Sequence, residues 1–442
     1  MKSTKECKGI ALIWLVLLIV AVIAILSVGV YFLVRNINNG NTDSSSISLE
    51  GQDQGKSNNV ESSKKVRKVC VAEDASFLIT EENELYATGE FLQDSLKTKD
   101  VDYTKFTKIA EDVKDLWVDY DDPIFMDFNN TLYSIGAYIT DKSNQVENEY
   151  YDKIYKVIDN VREVNVSELA ITIITESNEL YTVGVINSNI AAENSYHMQK
   201  IMDNAKTAYC SGHAIGVVDL NDDLYVWNGD GLNDSYISEQ PEKVFSNVKS
   251  VKIPYRGNAG YNYVTDVFIF TNDDELYAYG DNHAERFGIS SREQVIEQPV
   301  KIKNDVKEIF PATMYTIILT NDDAAYGTYM IGEGSDTTSD EAPNIVKISD
   351  DVVQALTDLD VCYIVTKDGG LYQVGDGETY IGSEKMKSPT KIYDNVKQIS
   401  GSSYRMLILT SDGEVYAKGN NKDGILGVGN TEEVTEFTKV EF

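Results

Sequence analysis

A five-residue motif, Leu-Tyr-x-x-Gly, recurs along most of the chain. Complete copies begin at five leucines: Leu85, Leu132, Leu180, Leu276 and Leu371. Degenerate copies contain three further tyrosines: Tyr225, Tyr326 and Tyr416. The eight motif tyrosines follow one another at intervals of 47, 48, 44, 52, 49, 46 and 44 residues. Such a period is typical of one supersecondary unit stacked many times, so the sequence predicts a repeat protein.

Each Leu-Tyr pair is preceded by a run that opens the repeat, such as Val66-Arg67-Lys68-Val69. The first residue of this run stands 19 residues before the motif leucine position in seven repeats. Val248 and Leu276 are 28 residues apart, which indicates a nine-residue insertion. An apolar run lies between the two motifs, and a Lys-Ile or Lys-Val pair follows the second. Each repeat therefore contains four short β-type runs separated by turn residues.

Four-stranded units at this spacing predict an all-β fold, a β-propeller of about eight four-stranded blades. The predicted propeller spans residues 65–442. Its first unit opens at Val66, and the chain ends with Thr438-Lys439-Val440. We expect this C-terminal strand to complete the first blade, because such pairing would close the ring and remove two open sheet edges.

The last repeat resembles the repeat of the regulator of chromosome condensation family. The resemblance rests on residues 399–420 and on the run 424–429, Gly-Ile-Leu-Gly-Val-Gly, which matches the family's Gly-x-Leu-Gly-x-Gly stretch. The fifth repeat keeps Tyr279-Gly280-Asp281-Asn282 and Phe287-Gly288. Family members usually have seven blades, so seven is the alternative to eight. A β-lactamase-inhibitory protein built on similar repeats binds its target through loops on a propeller face, so the resemblance permits protein binding.

An apolar segment precedes the repeats. Residues 10–34 are 25 residues without a charge, which is long enough for one transmembrane helix. Three lysines lie in residues 1–9, whereas only Arg35 lies within about 20 residues after the segment. The positive-inside rule therefore places residues 1–9 in the cytoplasm and the propeller outside the plasma membrane. Residues 35–64, rich in Asn, Ser and Gly, are predicted to be a disordered linker.

The start of this segment allows an alternative to a retained signal anchor. Lys8-Gly9 followed by Ile10-Ala11-Leu12-Ile13 resembles a prepilin processing site, although Trp14 stands where that family has glutamate. Cleavage of the N-terminal segment therefore stays open. Either way, we expect a bacterial cell-surface protein.

Net charge and cysteine content limit the function further. The formal net charge is −32, which disfavours nucleic acid and anionic lipid and favours a basic partner. The four cysteines are too few and too scattered for a disulfide framework. We expect Cys70 and Cys362 to pack inside blades.

Two ends of the predicted ring could bind a ligand. The connections between second and third strands are rich in Asn and Asp, which could hold Ca²⁺ or a basic protein but are also what tight turns require. The opposite end carries connections of variable length with many tyrosines, which give contact area at low entropic cost. The predicted partner-binding residues are on these connections: Tyr120, Tyr236, Tyr255, Arg256, Tyr261, Tyr263 and Tyr404.

Catalysis has little support in the sequence. The three histidines, His197, His213 and His283, fall in different repeats, and no nucleotide-binding, zinc-protease or hydrolase motif occurs. We therefore expect no enzyme activity, cofactor or metal, and a membrane-tethered module that binds an unknown protein. The alternatives are a cell-wall or carbohydrate-binding surface protein and a glycan-active hydrolase. A cytoplasmic exchange factor, as the family includes, contradicts the predicted topology.

Overall fold

Consecutive strands pair into separate four-stranded sheets. The structure, a computed structural model, describes residues 64–94, 101–119, 122–135, 154–167, 170–184, 198–211, 214–228, 241–254, 266–282, 285–289, 291, 293–312, 314–328, 344–357, 361–375, 386–402 and 404–442. Within these ranges, 32 strands form eight antiparallel sheets, each built from four successive strands. The predicted β-propeller is confirmed, with eight blades and not seven.

Blades 1 to 4 occupy the N-terminal half of the propeller. Blade 1 consists of β1 Val66–Val71, β2 Ser76–Thr80, β3 Leu85–Thr88 and β4 Thr107–Ala110. Blade 2 consists of β5 Val113–Asp119, β6 Asp122–Asp127, β7 Leu132–Ile135 and β8 Ile154–Ile158. Blade 3 consists of β9 Val161–Ser167, β10 Ala170–Thr175, β11 Leu180–Gly184 and β12 Gln199–Met202. Blade 4 consists of β13 Ala205–Ser211, β14 Ala214–Asp219, β15 Leu224–Asn228 and β16 Glu242–Phe245.

Blades 5 to 8 follow in the same order. Blade 5 consists of β17 Val248–Lys252, β18 Val267–Thr271, β19 Leu276–Asp281 and β20 Val295–Lys303. Blade 6 consists of β21 Val306–Pro311, β22 Thr316–Thr320, β23 Ala325–Thr328 and β24 Ile345–Ser349. Blade 7 consists of β25 Val352–Thr357, β26 Cys362–Thr366, β27 Leu371–Val374 and β28 Thr390–Tyr393. Blade 8 consists of β29 Val396–Gly401, β30 Arg405–Thr410, β31 Val415–Gly419 and β32 Val434–Lys439.

Two short helices lie entirely within the described residues. A one-turn α-helix, Phe91–Asp94, follows β3, and a 3-10 helix, Lys422–Gly424, follows β31. No helix in this part of the chain is long and apolar enough to cross a membrane. The predicted transmembrane segment, residues 10–34, and the predicted linker up to residue 63 lie outside the described residues.

The two motif positions that define the repeat form the core between blades. The opening residue and the motif leucine position are buried in all eight blades, for example Val66 and Leu85 in blade 1. A β-bulge follows the opening residue of every first strand. The bulge leaves the next residue, such as Arg67, outside the ladder with β2. Cys70 is half-buried and Cys362 is buried, both as free thiols inside blades, as predicted.

The first strand of each blade lies nearest the axis, where first strands of neighbouring blades contact one another. Side chains of one blade bond the free edge of the next. The Gln354 side chain donates to the carbonyl of Ile399 (2.8 Å) and accepts from its N–H (3.0 Å). Gln398 bonds Val69 in the same way, at 3.0 and 3.1 Å. These bonds give partners to main-chain N–H and carbonyl groups of the first strand, which lies at the edge of its sheet.

A second set of bonds joins successive blades around the whole ring. The N–H of the opening residue of each blade donates to a turn carbonyl of the preceding blade, at 2.8–3.0 Å. The donors are Val66, Val113, Val161, Ala205, Val248, Val306, Val352 and Val396. The acceptors, in the same order, are Gly413, Asn83, Asn130, Asn178, Asp222, Asp274, Asp323 and Gly369. Because Val66 bonds Gly413, the ring is closed between blade 8 and blade 1.

The C-terminal strand does not complete the first blade, so that prediction is wrong. β32 pairs with β31 of its own blade, with Lys439 opposite Tyr416, and blade 1 has its own fourth strand, β4. The chain end contributes to closure by packing instead. The Phe442 ring contacts the rings of Tyr86 and Phe106 in blade 1, with centroids 5.2 and 6.0 Å apart.

Candidate functional site

The two ends of the propeller are built from different connections. The hairpin face is the end formed by the connections between second and third strands and those between blades, which are four and two residues long in every blade. The loop face is the opposite end. There the connection between first and second strands ranges from 2 to 14 residues, and that between third and fourth strands from 13 to 18.

The backbone conformation of the turns on the hairpin face explains why these turns contain Asn and Asp. The residue whose carbonyl accepts the bond from the next blade has a φ between 59° and 82° in all eight turns. Six of these positions are Asn or Asp and two are Gly, which are the residues that tolerate this conformation best. The turn interpretation of these residues is therefore confirmed. The described residues contain no group of three His, Cys, Asp or Glu that could hold a metal ion.

Lysines of the fourth strand pair with acids next to these turns. Lys108 Nζ lies 2.8 Å from Glu84 Oε1, and the Tyr86 hydroxyl donates to Glu84 at 3.1 Å. Burial would raise the pKa of Glu84, but hydrogen bonds from Lys108 and Lys64 outweigh it and lower the pKa to about 2. Equivalent pairs recur in four other blades: Lys200–Glu179, Lys243–Asp223, Lys301–Glu275 and Lys439–Glu414. In these five blades the lysine of the Lys-Ile or Lys-Val pair therefore contacts the acid that directly precedes the Leu-Tyr motif.

Blade 6 has a related contact between blades. Two lysines lie near the Asp323 carboxylate, Lys307 of the same blade at 2.7 Å and Lys367 of blade 7 at 2.8 Å. Hydrogen bonds from Lys307 and Lys367 lower the pKa of Asp323 to about 2. In blade 7 the residue that follows the opening valine is Val353, where blades 6 and 8 have lysine. The lysine that blade 7 contributes to Asp323 is Lys367, in the turn between β26 and β27.

Most of the predicted partner-binding residues lie outside the described residues. These are Tyr120, Tyr236, Tyr255, Arg256, Tyr261 and Tyr263, and the three histidines are also outside. Tyr404 is the one predicted partner-binding residue that lies within the described ranges.

Tyr404 projects from the loop face of blade 8 and is 68% exposed. Its N–H donates to the Ser402 hydroxyl (3.2 Å), and its carbonyl accepts from Asn420 N–H (2.7 Å). A Cβ at Gly419 would lie 2.2 Å from the Tyr404 carbonyl oxygen, so this approach requires glycine. The side chain of the next residue, Arg405, donates to the Glu73 carbonyl of blade 1. The exposed ring of Tyr404 is thus attached to a segment that several hydrogen bonds hold in place.

The family-like residues of the loop face are structural. Asn421 Oδ1 accepts from the N–H of Leu426 (2.8 Å), and its Nδ2 donates to the carbonyl of Asn430 (2.7 Å). In blade 5, the side chain of Asn282 bonds the Phe287 N–H in the same way, at 3.1 Å. Both asparagines are buried and hold the start of the connection to the fourth strand.

Two apolar side chains on the hairpin face were missed by the sequence analysis. Phe128 in the turn of blade 2 is 55% exposed, and Leu220 in the turn of blade 4 is 52% exposed. Both follow an aspartate that ends the second strand, Asp127 and Asp219. An alignment of the eight turns contains this signal, because the other six turns have threonine in place of the aspartate and a polar residue after it.

Comparisons with known proteins agree with the fold. Residues 396–425 match the family model of the regulator of chromosome condensation (RCC1) repeat, which confirms the resemblance predicted from the last repeat. None of the curated proteins compared with the chain matches it.

Several solved structures are similar to this chain at low sequence identity. Prp20p of Saccharomyces cerevisiae, described with its binding to Gsp1p and histones, is 14% identical, with 64% of this chain and 77% of that chain covered and a TM-score of 0.45. Human WBSCR16 is 14% identical, with 69% and 89% covered and a TM-score of 0.47. A chain of the complex of Kap60 with yeast RCC1 (Prp20) is 13% identical, with 91% of each chain covered and a TM-score of 0.49. These similarities concern the fold alone.

Proposed function

We propose that this chain is a single-pass bacterial membrane protein whose propeller lies outside the plasma membrane and binds another protein without catalysing a reaction. The observation that carries the binding role is the contrast between a ring fixed by repeated bonds and connections of variable length on one face. A rigid frame that presents variable loops is a common design for recognition. The uncharged residues 10–34 and the lysines before them support the membrane topology.

Protease treatment of intact cells tests the topology. We expect added protease to digest residues 65–442 without cell lysis, while an epitope placed before residue 10 stays protected. Digestion that requires lysis would place the propeller inside the cell and end the topology proposal.

Cross-linking on intact cells tests the binding role. We expect a discrete protein adduct of the full-length chain, and we expect Tyr404→Ala to reduce it if the loop face makes the contact. The absence of any protein adduct would contradict the proposed function.

The exposed Tyr404 ring also fits a second candidate, a cell-wall or carbohydrate-binding protein, because aromatic rings stack on sugars. Sedimentation of the full-length protein with purified wall glycan separates the two. Co-sedimentation that Tyr404→Ala abolishes, without a protein adduct, would favour the glycan.

A further inference from the structure

We propose that the hairpin face of blades 2 to 4 is a docking surface for a protein partner with apolar side chains surrounded by lysine or arginine. This inference rests on the proposed function, since it assigns the protein-binding role to a particular face. It places the contact on the side opposite to the one that the sequence predicts.

The first observation is the repeated position of the two exposed apolar residues. Phe128 and Leu220 occupy the same position of the same turn in blades 2 and 4, on either side of blade 3. The other six turns have polar residues there: Glu81, Glu176, Asn272, Asn321, Lys367 and Ser411. A half-exposed apolar side chain leaves much of its apolar area in water, and aromatic side chains such as phenylalanine are enriched in protein interfaces.

The second observation is that buried aspartates hold both turns. Asp127 Oδ1 accepts from the N–H groups of Asn129 (2.9 Å) and Thr131 (2.8 Å). Asp219 Oδ1 accepts from the N–H groups of Asn221 and Asp223, each at 2.9 Å. Phe128 and Leu220 are therefore presented by main chain that is already ordered, so binding through them costs little conformational entropy.

The third observation is the charge around the two side chains, which selects the partner. Four lysines of this region each have a carboxylate within 2.5–2.7 Å: Lys156, Lys200, Lys206 and Lys243. The two other described cations, Lys114 and Arg162, donate to the Asn130 side chain (2.6 Å) and to the Ala205 carbonyl (3.0 Å). Two exposed acids, Asp112 and Glu176, have no lysine or arginine partner among the described residues. Glu176 instead accepts a bond from Asn130 Nδ2 (2.9 Å) of blade 2, which fixes its carboxylate on blade 3, the blade between those of Phe128 and Leu220.

These three observations favour a basic protein surface, and not an anionic lipid surface or a sugar, as the ligand of the hairpin face. An anionic lipid surface would meet the acidic excess and be repelled. A sugar ring would find one aromatic side chain and one leucine two blades apart, not a stacking platform. A partner that places apolar side chains against Phe128 and Leu220 and a basic group near Glu176 satisfies all three features.

Binding of defined peptides to the full-length protein in detergent tests the surface chemistry. The probe is an amphipathic helical peptide of leucine and lysine, compared with the same peptide carrying glutamate for lysine and with a lysine-only peptide. We expect the leucine–lysine peptide to bind tightest, and we expect Phe128→Asn with Leu220→Asn to weaken it about tenfold or more. The matched control changes the same turn position in blades 6 and 8, Asn321→Ala with Ser411→Ala, and leaves affinity unchanged.

Equal loss in the control pair, or no loss in the Phe128 and Leu220 pair, would overturn the proposal. Thermal unfolding of each variant shows that the ring is intact, which is expected because both side chains are exposed. Glu176→Gln provides a second variant: we expect weaker binding and a smaller dependence of affinity on salt, and an unchanged salt dependence would contradict the charge argument.

Cellular cross-linking separates this inference from the proposed function. A protein adduct lost with Phe128→Asn and Leu220→Asn, and retained with Tyr404→Ala, supports the hairpin face. The reverse pattern rejects the hairpin face and leaves the proposed function standing, whereas no adduct with the unmodified chain rejects both.

Discussion

The hairpin face and the loop face are made by the same eight repeats but are held differently. On the hairpin face, connection lengths are identical in all blades, and every turn bonds the next blade through main-chain groups. On the loop face, connections differ in length from blade to blade, and the bonds described there, such as those of Asn421 and the one from Arg405 to Glu73, are not repeated in every blade. Uniform bonding therefore restricts backbone change on one face, so variation there occurs in single side chains such as Phe128.

The largest expected effect is a difference in stability between variants of two leucines that are four residues apart in blade 4. Leu224 is fully buried, whereas Leu220, four residues earlier, is half-exposed on the hairpin face. We expect Leu224→Ala to lower the free energy of unfolding by about 3 kcal/mol, because it leaves a cavity between blades. Leu220→Ala is the matched control and should change it by less than about 0.5 kcal/mol. Equal losses in urea unfolding would mean that Leu220 is part of the core and not a surface contact.

The next effect tests how firmly the hairpin face is held. We expect Asp127→Ala to cost about 2 kcal/mol in the free energy of unfolding, because the N–H groups of Asn129 and Thr131 lose their acceptor. Glu82→Ala, which removes an exposed acid from the equivalent turn of blade 1, serves as the control and should be nearly neutral. A neutral Asp127→Ala would show that the turn keeps its shape without the aspartate, contrary to the ordered presentation of Phe128.

A smaller effect concerns the pH dependence of the lysine–acid contacts. Because the folded pKa of Glu84 is lowered to about 2 from the usual 4.5, its contribution to stability is complete above about pH 4.5. That contribution is lost as the pH falls toward 2, where the carboxylate becomes protonated in the folded state as well. Carboxyl NMR titration should show Glu84 titrating near pH 2, and Lys108→Met should move this midpoint upward. Lys105→Met, which removes a lysine that pairs with Asp102 instead, should leave the Glu84 midpoint in place.

The smallest effect is expected on the loop face. Tyr404→Ala should change the free energy of unfolding by less than about 0.5 kcal/mol, because the ring is 68% exposed and its neighbours bond its main chain. Ser402→Ala, which removes the hydroxyl that accepts from Tyr404 N–H, should cost slightly more. A large loss for Tyr404→Ala in thermal unfolding would mean that the ring supports the fold and is not available for contacts.

The repeat could be recognised in the sequence because each of its key residues marks one local element. Leu85 and Val66 mark the third and first strands, and Asn83 marks a turn that needs positive φ. The role of Lys108 was not readable, since its partner Glu84 lies 24 residues away and is reached only when β3 and β4 pair. Its equivalent at the chain end, Lys439, was for the same reason assigned to the wrong blade.

The candidate site was predicted less well than the fold. Variable connection length and tyrosine content pointed to the loop face, and of the seven residues selected only Tyr404 is described by the structure. Phe128 and Leu220 were overlooked because apolar residues beside a strand are ordinarily expected in the core. Their exposure follows from the four-residue turn itself, because the first turn position is exposed in all eight blades.

The spacing of Leu-Tyr pairs and of the motifs around them predicted about eight four-stranded blades from the sequence alone, because each pair marks one third strand and local hydrophobic pattern is enough to place it. Only the tertiary structure decided that β32 stays in blade 8 and that the ring closes through Val66, Gly413 and Phe442. Strand partners and exposed surfaces are set by neighbours distant in sequence, and a short connection to the adjacent strand closes at lower entropic cost than pairing across the whole chain.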